Sequence, residues 1–510
     1  MYSKKDKQPI MASNRKLSNF DKSKNMPGIF TPPKLIASLL LSIFILLIAS
    51  CSNQEKGKIP ITTKSKQALA YYLQGRELSE NLRGQDAVRF FQQAIALDSN
   101  FALAYLGLAM VQPSTREFLE VFNTAKTYTD LISVGERLMI YGIDADASGL
   151  QMQQCKMYRD LVDIYPSDER AHYLLGNHFF GNQEYPAAIK AYHKAIVINS
   201  NFAPSYNQLG YAHRSLGEYG QAKTAFRKYL QLIPNDPNPL DSYAELLLKI
   251  GKFETSLEQY YQALELDPHF VPSHIGIATN LNLLGRHEEA REQLLVLYEN
   301  ARNSREMRAA HFATAVSYVD EGRFVDALSE LDKQYDLAKK INDVISMVGD
   351  LIAMGNVLLE MEATAEATEK FQQAKDITET SDLAENVKNN NRRFYPYFAG
   401  LIAVANHDFK TAREYADQFI EKIILVENPR EQRLSHELSG IIALAEGDFD
   451  SAISELNLAN QQNPYNLYRL ALAYIGKGET DKYDKYLKMA LDYNAVNSLN
   501  FAFIRYKHNS

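Results

Sequence analysis

The side chains able to ligate a metal or act as nucleophiles are eleven histidines and two cysteines. His172, His274, His311 and His436 follow one another at steps of 102, 37 and 125 residues, which is not the spacing of a shared metal site. His287-Glu288-Glu289-Ala290-Arg291 opens like a zinc-binding helix but lacks the second histidine four residues on. No glycine-rich phosphate loop or nucleophile elbow is present. Carboxylate pairs such as Glu288-Glu289 read as solvated helix faces. The sequence therefore predicts no enzyme activity, no cofactor and no metal. Cys155, between Met152 and Tyr158 in a predicted helix, reads as a buried thiol. What stands out instead is aromatic: 31 Tyr and 24 Phe, without Trp, recurring at fixed steps.

Those steps reveal the elements. Gly176, Gly210 and Ala244 lie 34 residues apart, and so do Ala188, Ala222 and Ser256. His172, Leu175, Gly176 and Phe179 share one helix face, and Ala188, Tyr192 and Ala195 define a second amphipathic stretch. Gly181 and Gly217 are placed to turn the chain between paired helices, and Pro234 and Pro268 to stop the second helix of a pair. One such hairpin cannot bury its apolar face, but stacked hairpins can. An all-α solenoid follows. Glycine and proline usage is modest and no strand-like alternation competes.

The pattern resembles the tetratricopeptide repeat family, whose signature has a large residue at position 4, Leu-Gly at 7 and 8, aromatics at 11 and 24, Ala at 20 and 27, and Pro at 32. The copy from Ala203 fits at Tyr206, Leu209, Gly210, Ala222, Phe226 and Pro234, and departs at His213 and Tyr229. The resemblance implies a right-handed superhelix of tandem hairpins. It puts the four histidines at position 4 as packing rings. It also implies that positions 2, 5, 9 and 12 of each first helix line a concave groove. In the central copies these include Tyr173, Asn177, Phe180, Asn207, Tyr211 and Arg214, the candidate peptide-binding residues. Rings, amides and a guanidinium on a rigid concave surface suit an extended peptide. Asp241 and Glu245 in the same register would repel a terminal carboxylate, against a carboxylate clamp of the kind found in chaperone-binding members.

The chain start has another character. Residues 1–34 hold eight Lys or Arg and two acids, Leu35 to Ile48 is apolar but for two serines, and Ile48-Ala49-Ser50-Cys51 follows. Sixteen residues span roughly 24 Å as helix, short of the ~30 Å hydrocarbon core, and the layout is that of a secretory signal. The ending resembles the lipobox of bacterial lipoproteins. That implies cleavage before Cys51 and lipid attachment there, hence an anchor in a bilayer and no partner thiol for Cys155. An uncleaved signal anchor is the competing reading, and translation from Met11 or Met26 in place of Met1 is open. Ser52 where that family uses Asp for inner-membrane retention makes the outer membrane the expected destination. The whole chain carries −7, leaving about −13 after Ser50, which argues against nucleic acid as a partner.

The expected organisation is a leader and signal over 1–50, a polar tether over 51–66, a repeat array over 67–380, a polar break or hinge over 381–392, a second array over 393–494 and a capping helix with tail over 495–510. Register is lost at 112–134, which is either an altered repeat or an insertion. The expected function is a membrane-anchored scaffold in the bacterial cell envelope that binds a protein or peptide. The alternative is a regulatory subunit or activator of an envelope enzyme, such as a cell-wall hydrolase, or of a secretion or transport assembly.

Overall fold

The computed structural model describes residues 57–509; the expected signal segment and Cys51 lie outside them. The described chain is helical, without strands. Its hairpins are α1 (Lys66–Glu80) with α2 (Gly84–Leu97), α3 (Ala102–Met110) with α4 (Thr115–Thr127), α5 (Val134–Ala147) with α6 (Gln151–Ile164), and α7 (Glu169–Gly181) with α8 (Tyr185–Ile198). Next come α9 (Ala203–Ser215) with α10 (Tyr219–Leu232), α11 (Pro237–Lys249) with α12 (Phe253–Leu266), α13 (Val271–Leu283) with α14 (His287–Glu299), α15 (Ser304–Asp320) with α16 (Phe324–Lys340), and α17 (Val344–Glu360) with α18 (Thr364–Thr380). A short helix α19 (Glu385–Arg392) precedes α20 (Tyr395–Ala405) with α21 (Phe409–Ile424), α22 (Pro429–Glu446) with α23 (Phe449–Leu458), α24 (Pro464–Gly476) with α25 (Thr480–Leu491), and a last helix α26 (Leu499–Asn509). Each hairpin packs on the next, as a solenoid requires.

The 34-residue rule works through size. The ring at Tyr192 or Phe226 is fully buried against the glycine of its own hairpin: three ring atoms lie within 3.1 Å of a Cβ built on Gly176, and within 2.7 Å of one built on Gly210. Gly217, Gly251 and Gly285 make the turns between paired helices at φ +75°, +75° and +74°, a left-handed conformation that costs glycine least. In the first copy the residue at that step is Gln183, at φ 63°. Gly181, expected to be the turn, is instead the last residue of α7 and faces the Arg430 guanidinium. Helix starts are set by side-chain caps: Asp168 accepts from the amides of Arg170 and Ala171 at 2.8 and 3.2 Å, and Asp236 caps α11 ahead of Pro237.

Three stretches differ from expectation or resolve it. The irregular segment is a hairpin, α3 with α4, in which α3 is only nine residues long and α4 starts afresh on a Ser114 cap after Pro113. The polar break contains α19, a helix with no buried residue. The expected tether is not loose over its described part. Lys58 pairs with Glu169, and the Ile59 amide donates to Asp168 at 2.8 Å. Thr62 donates to the buried Glu136 carboxylate through its amide (2.7 Å) and hydroxyl (2.5 Å), and the Thr63 hydroxyl donates to Asp98 at 2.6 Å.

The superhelix is wound tightly enough for its second turn to rest on its first. Asn303 donates to Gln85 (3.0 Å), and Asp343 accepts from the Thr115 amide (2.9 Å). The Asn428 amide donates to the Gly149 carbonyl (3.3 Å), and Gln183 donates to Asn460 (2.8 Å). Lys249 donates to the Tyr493 carbonyl (2.5 Å), and Arg505 donates to the Asn282 carbonyl (3.0 Å). The partners are 218 to 279 residues apart. Helix α26, expected to cap the end of the array, also bridges to α15, one turn away. Among the described residues no helix is long and apolar enough to cross a membrane.

Candidate partner-binding groove

The first helix of each hairpin faces the inside of the superhelix, and the central copies place their candidate residues there in three groups. Tyr173 sits edge-on to Phe202 at 5.4 Å and beside Tyr192 at 6.1 Å, and burial lifts its phenol to about 12. Asn177 accepts the Tyr192 hydroxyl at 2.9 Å, so both belong to this first group. Phe180 stands apart, edge-on to Tyr185. Tyr211 and Arg214 form the third group. The guanidinium lies 4.8 Å from the Tyr211 ring centroid and pairs with Glu245 at 3.2 Å, while the Tyr211 hydroxyl donates to Ser242 at 3.2 Å. Asn207 is buried, and its side-chain oxygen makes no hydrogen bond within the protein.

This stretch of the groove is closed in by the chain itself. Arg170 reaches across to Glu80 on α1 at 3.3 Å. On the other side the Lys249 ammonium sits 3.3 Å from the centroid of the Tyr493 ring, and burial with the nearby Arg214 charge lowers its pKa to about 7. Asp241 is buried among Tyr211, Tyr229 and Tyr260, next to the Arg214–Glu245 pair, and accepts the Ser273 hydroxyl at 2.8 Å. Burial lifts its pKa to about 8, Glu245 adds to the rise, and the Ser273 bond opposes it. Burial thus favours the neutral form of Asp241.

An unfolded aspartate titrates near about 3.9, so between about pH 4 and pH 8 the folded chain holds the extra proton. The stability tied to Asp241 is complete below pH 4 and is lost as pH rises through 8. Asp241→Asn should therefore melt above the wild type by a margin that widens from pH 5 to pH 8 in calorimetry. A margin that stays flat or narrows would mean an ionised Asp241.

The open part of the groove is further along. A cavity of about 450 Å³ is lined by Asn356 and Leu359 on α17, Tyr397 and Leu401 on α20, Leu434 and Glu437 on α22, and Tyr465 and Arg469 on α24. Phe503 of α26 lines it too. Arg469 donates to Glu437 (3.0 Å) and Asn466 (2.9 Å) and lies 4.2 Å from the Tyr465 ring centroid; the Tyr465 hydroxyl donates to Glu360 at 2.6 Å. The repeat register holds the signal that finds this cavity. Counting from Gly400, Gly440 and Ala471 as position 8, Tyr397, Leu401, Leu434, Glu437 and Tyr465 fall at groove positions 2, 5 or 9. The same register in the central copies gives Tyr173, Asn177, Asn207 and Tyr211 instead.

The position-4 histidines each have a local partner. His172 and His274 bond the carbonyls of Pro166 and Pro268 at 3.0 and 2.9 Å, and His311 and His436 bond Glu330 and Glu455 at 2.7 and 2.8 Å. Cys155 is half-buried, and burial pushes its thiol pKa up, away from reactivity.

Family models match in the central block: one described as TPR repeat over residues 176–217, and one described as tetratricopeptide repeat over 203–236. The chain carries tetratricopeptide repeats in this block. Curated relatives of this repeat protein include a TPR repeat-containing protein of Methanocaldococcus jannaschii, 26% identical over 62% of this chain and 55% of its own. Another, from Bacillus subtilis, is 21% identical over 40% of this chain and 54% of its own. The chain thus spans about half the length of these two relatives. A solved structure of the APC/C hetero-tetramer Cut9–Hcn1 is similar over 89% of this chain and 83% of that one, at 15% identity and TM-score 0.41. Tetratricopeptide repeats mark a protein–protein interaction scaffold, and proteins built from them are generally non-catalytic.

Proposed function

We propose that this repeat protein is a scaffold lipoprotein of the bacterial cell envelope. It is anchored through acyl chains on Cys51 and holds a protein or extended peptide in its concave face. The observation that carries the binding half is the cavity between α17, α20, α22 and α24, where Tyr397, Tyr465, Asn356 and Arg469 line one concave surface. Rings offer pockets to apolar side chains, and amides and the guanidinium offer hydrogen bonds to a peptide backbone. The anchor half rests on Ile48-Ala49-Ser50-Cys51 after an apolar run, with two or three chains giving stable attachment where one would be marginal.

Two arms test it. Cells fed labelled palmitate should label the wild type but not Cys51→Ser, and an unlabelled wild type refutes the anchor. Crosslinked partners recovered from solubilised envelope with the wild type should be lost from Tyr397→Ala/Leu401→Ala. They should be retained by Tyr173→Ala/Asn177→Ala/Asn207→Ala/Tyr211→Ala if the central groove is closed to ligands. Equal recovery by the first variant dismisses the cavity.

A further inference from the structure

We infer that the break between the two arrays builds a second binding site, outside the concave face, for an acidic peptide segment carrying an aromatic side chain. The site is a cleft of about 620 Å³ between α18 and α21, floored by α20. That volume is within the roughly 300–1,000 Å³ typical of ligand sites. It exists because α19, whose eight residues bury nothing, stands between α18 and α20.

The walls are apolar and aromatic. Phe371 and Phe398 stack at 4.9 Å and 15°, and Ile402, Tyr395 and Tyr415 extend the surface. A stacked pair with open space beside it favours a third ring. The Tyr395 ring adds to this wall.

The rim decides the charge of the occupant. Lys375 and Lys422 line the cleft, are exposed, and make no ion pair among the described residues. The Lys375 ammonium lies 5.8 Å from the Tyr395 ring centroid. The two carboxylates of the rim are already engaged. Glu379 receives the Arg392 fork at 2.8 and 2.5 Å, which holds it below the usual carboxylate range. Asp408 caps α21 by accepting from the Thr411 amide at 3.1 Å. Two ammonium groups without an ion pair beside an aromatic wall call for carboxylates next to a ring. The surrounding chain, near −13 beyond Ser50, makes this local positive charge a selective feature. The basic leader, at about +6, has the wrong sign to be the occupant.

The test is titration calorimetry of the chain from Ser52 with acetylated, amidated Asp-Glu-Phe-Glu-Asp as the probe. Two control peptides replace Phe by Ala or the four acids by Lys, and phenylacetate serves as a small-molecule control. The probe should bind, and each control should bind at least about tenfold more weakly, a loss of about 1.4 kcal/mol. Lys375→Glu/Lys422→Glu should lose the probe by a similar factor. Ala399→Trp, which fills the cleft, should abolish binding, whereas Leu434→Ala in the concave groove should leave it unchanged. Both cleft variants should melt within a few degrees of wild type, because Lys375 and Lys422 are exposed and Ala399 borders the open cleft. No binding by the wild type, equal binding of the basic peptide or of phenylacetate, or indifference to the double charge reversal would each overturn the assignment. Loss in Leu434→Ala would place the peptide in the groove and overturn it as well.

Discussion

Phe503→Asp is expected to release helix α26 and to cost about 3–5 kcal/mol, the range for removing a large buried side chain, with the desolvation of a carboxylate adding to it. Phe501, Ala502, Phe503 and Ile504 are all buried, at 3%, 2%, 2% and 0% exposure. Four consecutive helical residues point around most of a circle, so this helix is enclosed rather than laid on a surface. One side holds Phe324 of α16, 6.4 Å from Phe503 and 4.9 Å from Tyr506 by ring centroid; the other holds Tyr465 of α24 at 6.4 Å. Arg505 pairs with Asp320 at 2.9 Å and Lys507 with Glu360 at 2.9 Å, fixing the helix to α15 and α17. Calorimetry should show a melting temperature several degrees lower, and X-ray scattering a larger radius of gyration as the two turns part. An unchanged radius would mean that other contacts suffice to hold the turns together.

Gly276→Val is expected to be as damaging for the opposite reason. A Cβ at Gly276 would have three atoms of the Tyr260 ring within 2.6 Å, and Tyr260 is fully buried. Neither the ring nor the helix backbone has space to retreat, and overpacking of this severity costs about 3 kcal/mol or more. Gly349, in α17, is the control: it is exposed, and a Cβ there meets nothing within 4 Å. Gly349→Ala should stabilise by about 0.5–1 kcal/mol through helix propensity alone. Urea titrations of both variants against wild type decide the matter. A mild Gly276→Val would show that the ring and glycine do not set the spacing of these helices.

A 34-residue step reports near-neighbour packing, because each hairpin touches chiefly the next. The rings at Tyr192 and Phe226, the turn at Gly217 and the stops at Pro234 and Pro268 were therefore legible. The left-handed turn at Gln183 was not, since a glycine two residues earlier looked like the better candidate. The contact of Thr62 with Glu136 and the seating of Asn428 on Gly149 were not legible either. The first is made by a segment that precedes the repeats, and the second depends on a small rotation per hairpin summed over many hairpins, which no local pattern encodes. The groove rule was readable, but its open stretch lies in later copies, where Tyr397 and Glu437 hold the positions that Tyr173 and Asn207 hold in the central ones.

The contact of one superhelical turn with the next alters how the protein comes apart. A free-ended stack of hairpins unzips from its outermost members, each lost at small cost, and melts over a broad range. Here both outermost members are fastened: the first through Gln85 to Asn303, and the last through Arg505 to Asp320 and Asn282. Peeling either one breaks two interfaces at once, so half-unzipped molecules should be scarce, and the array should behave more like a closed ring than like a strip.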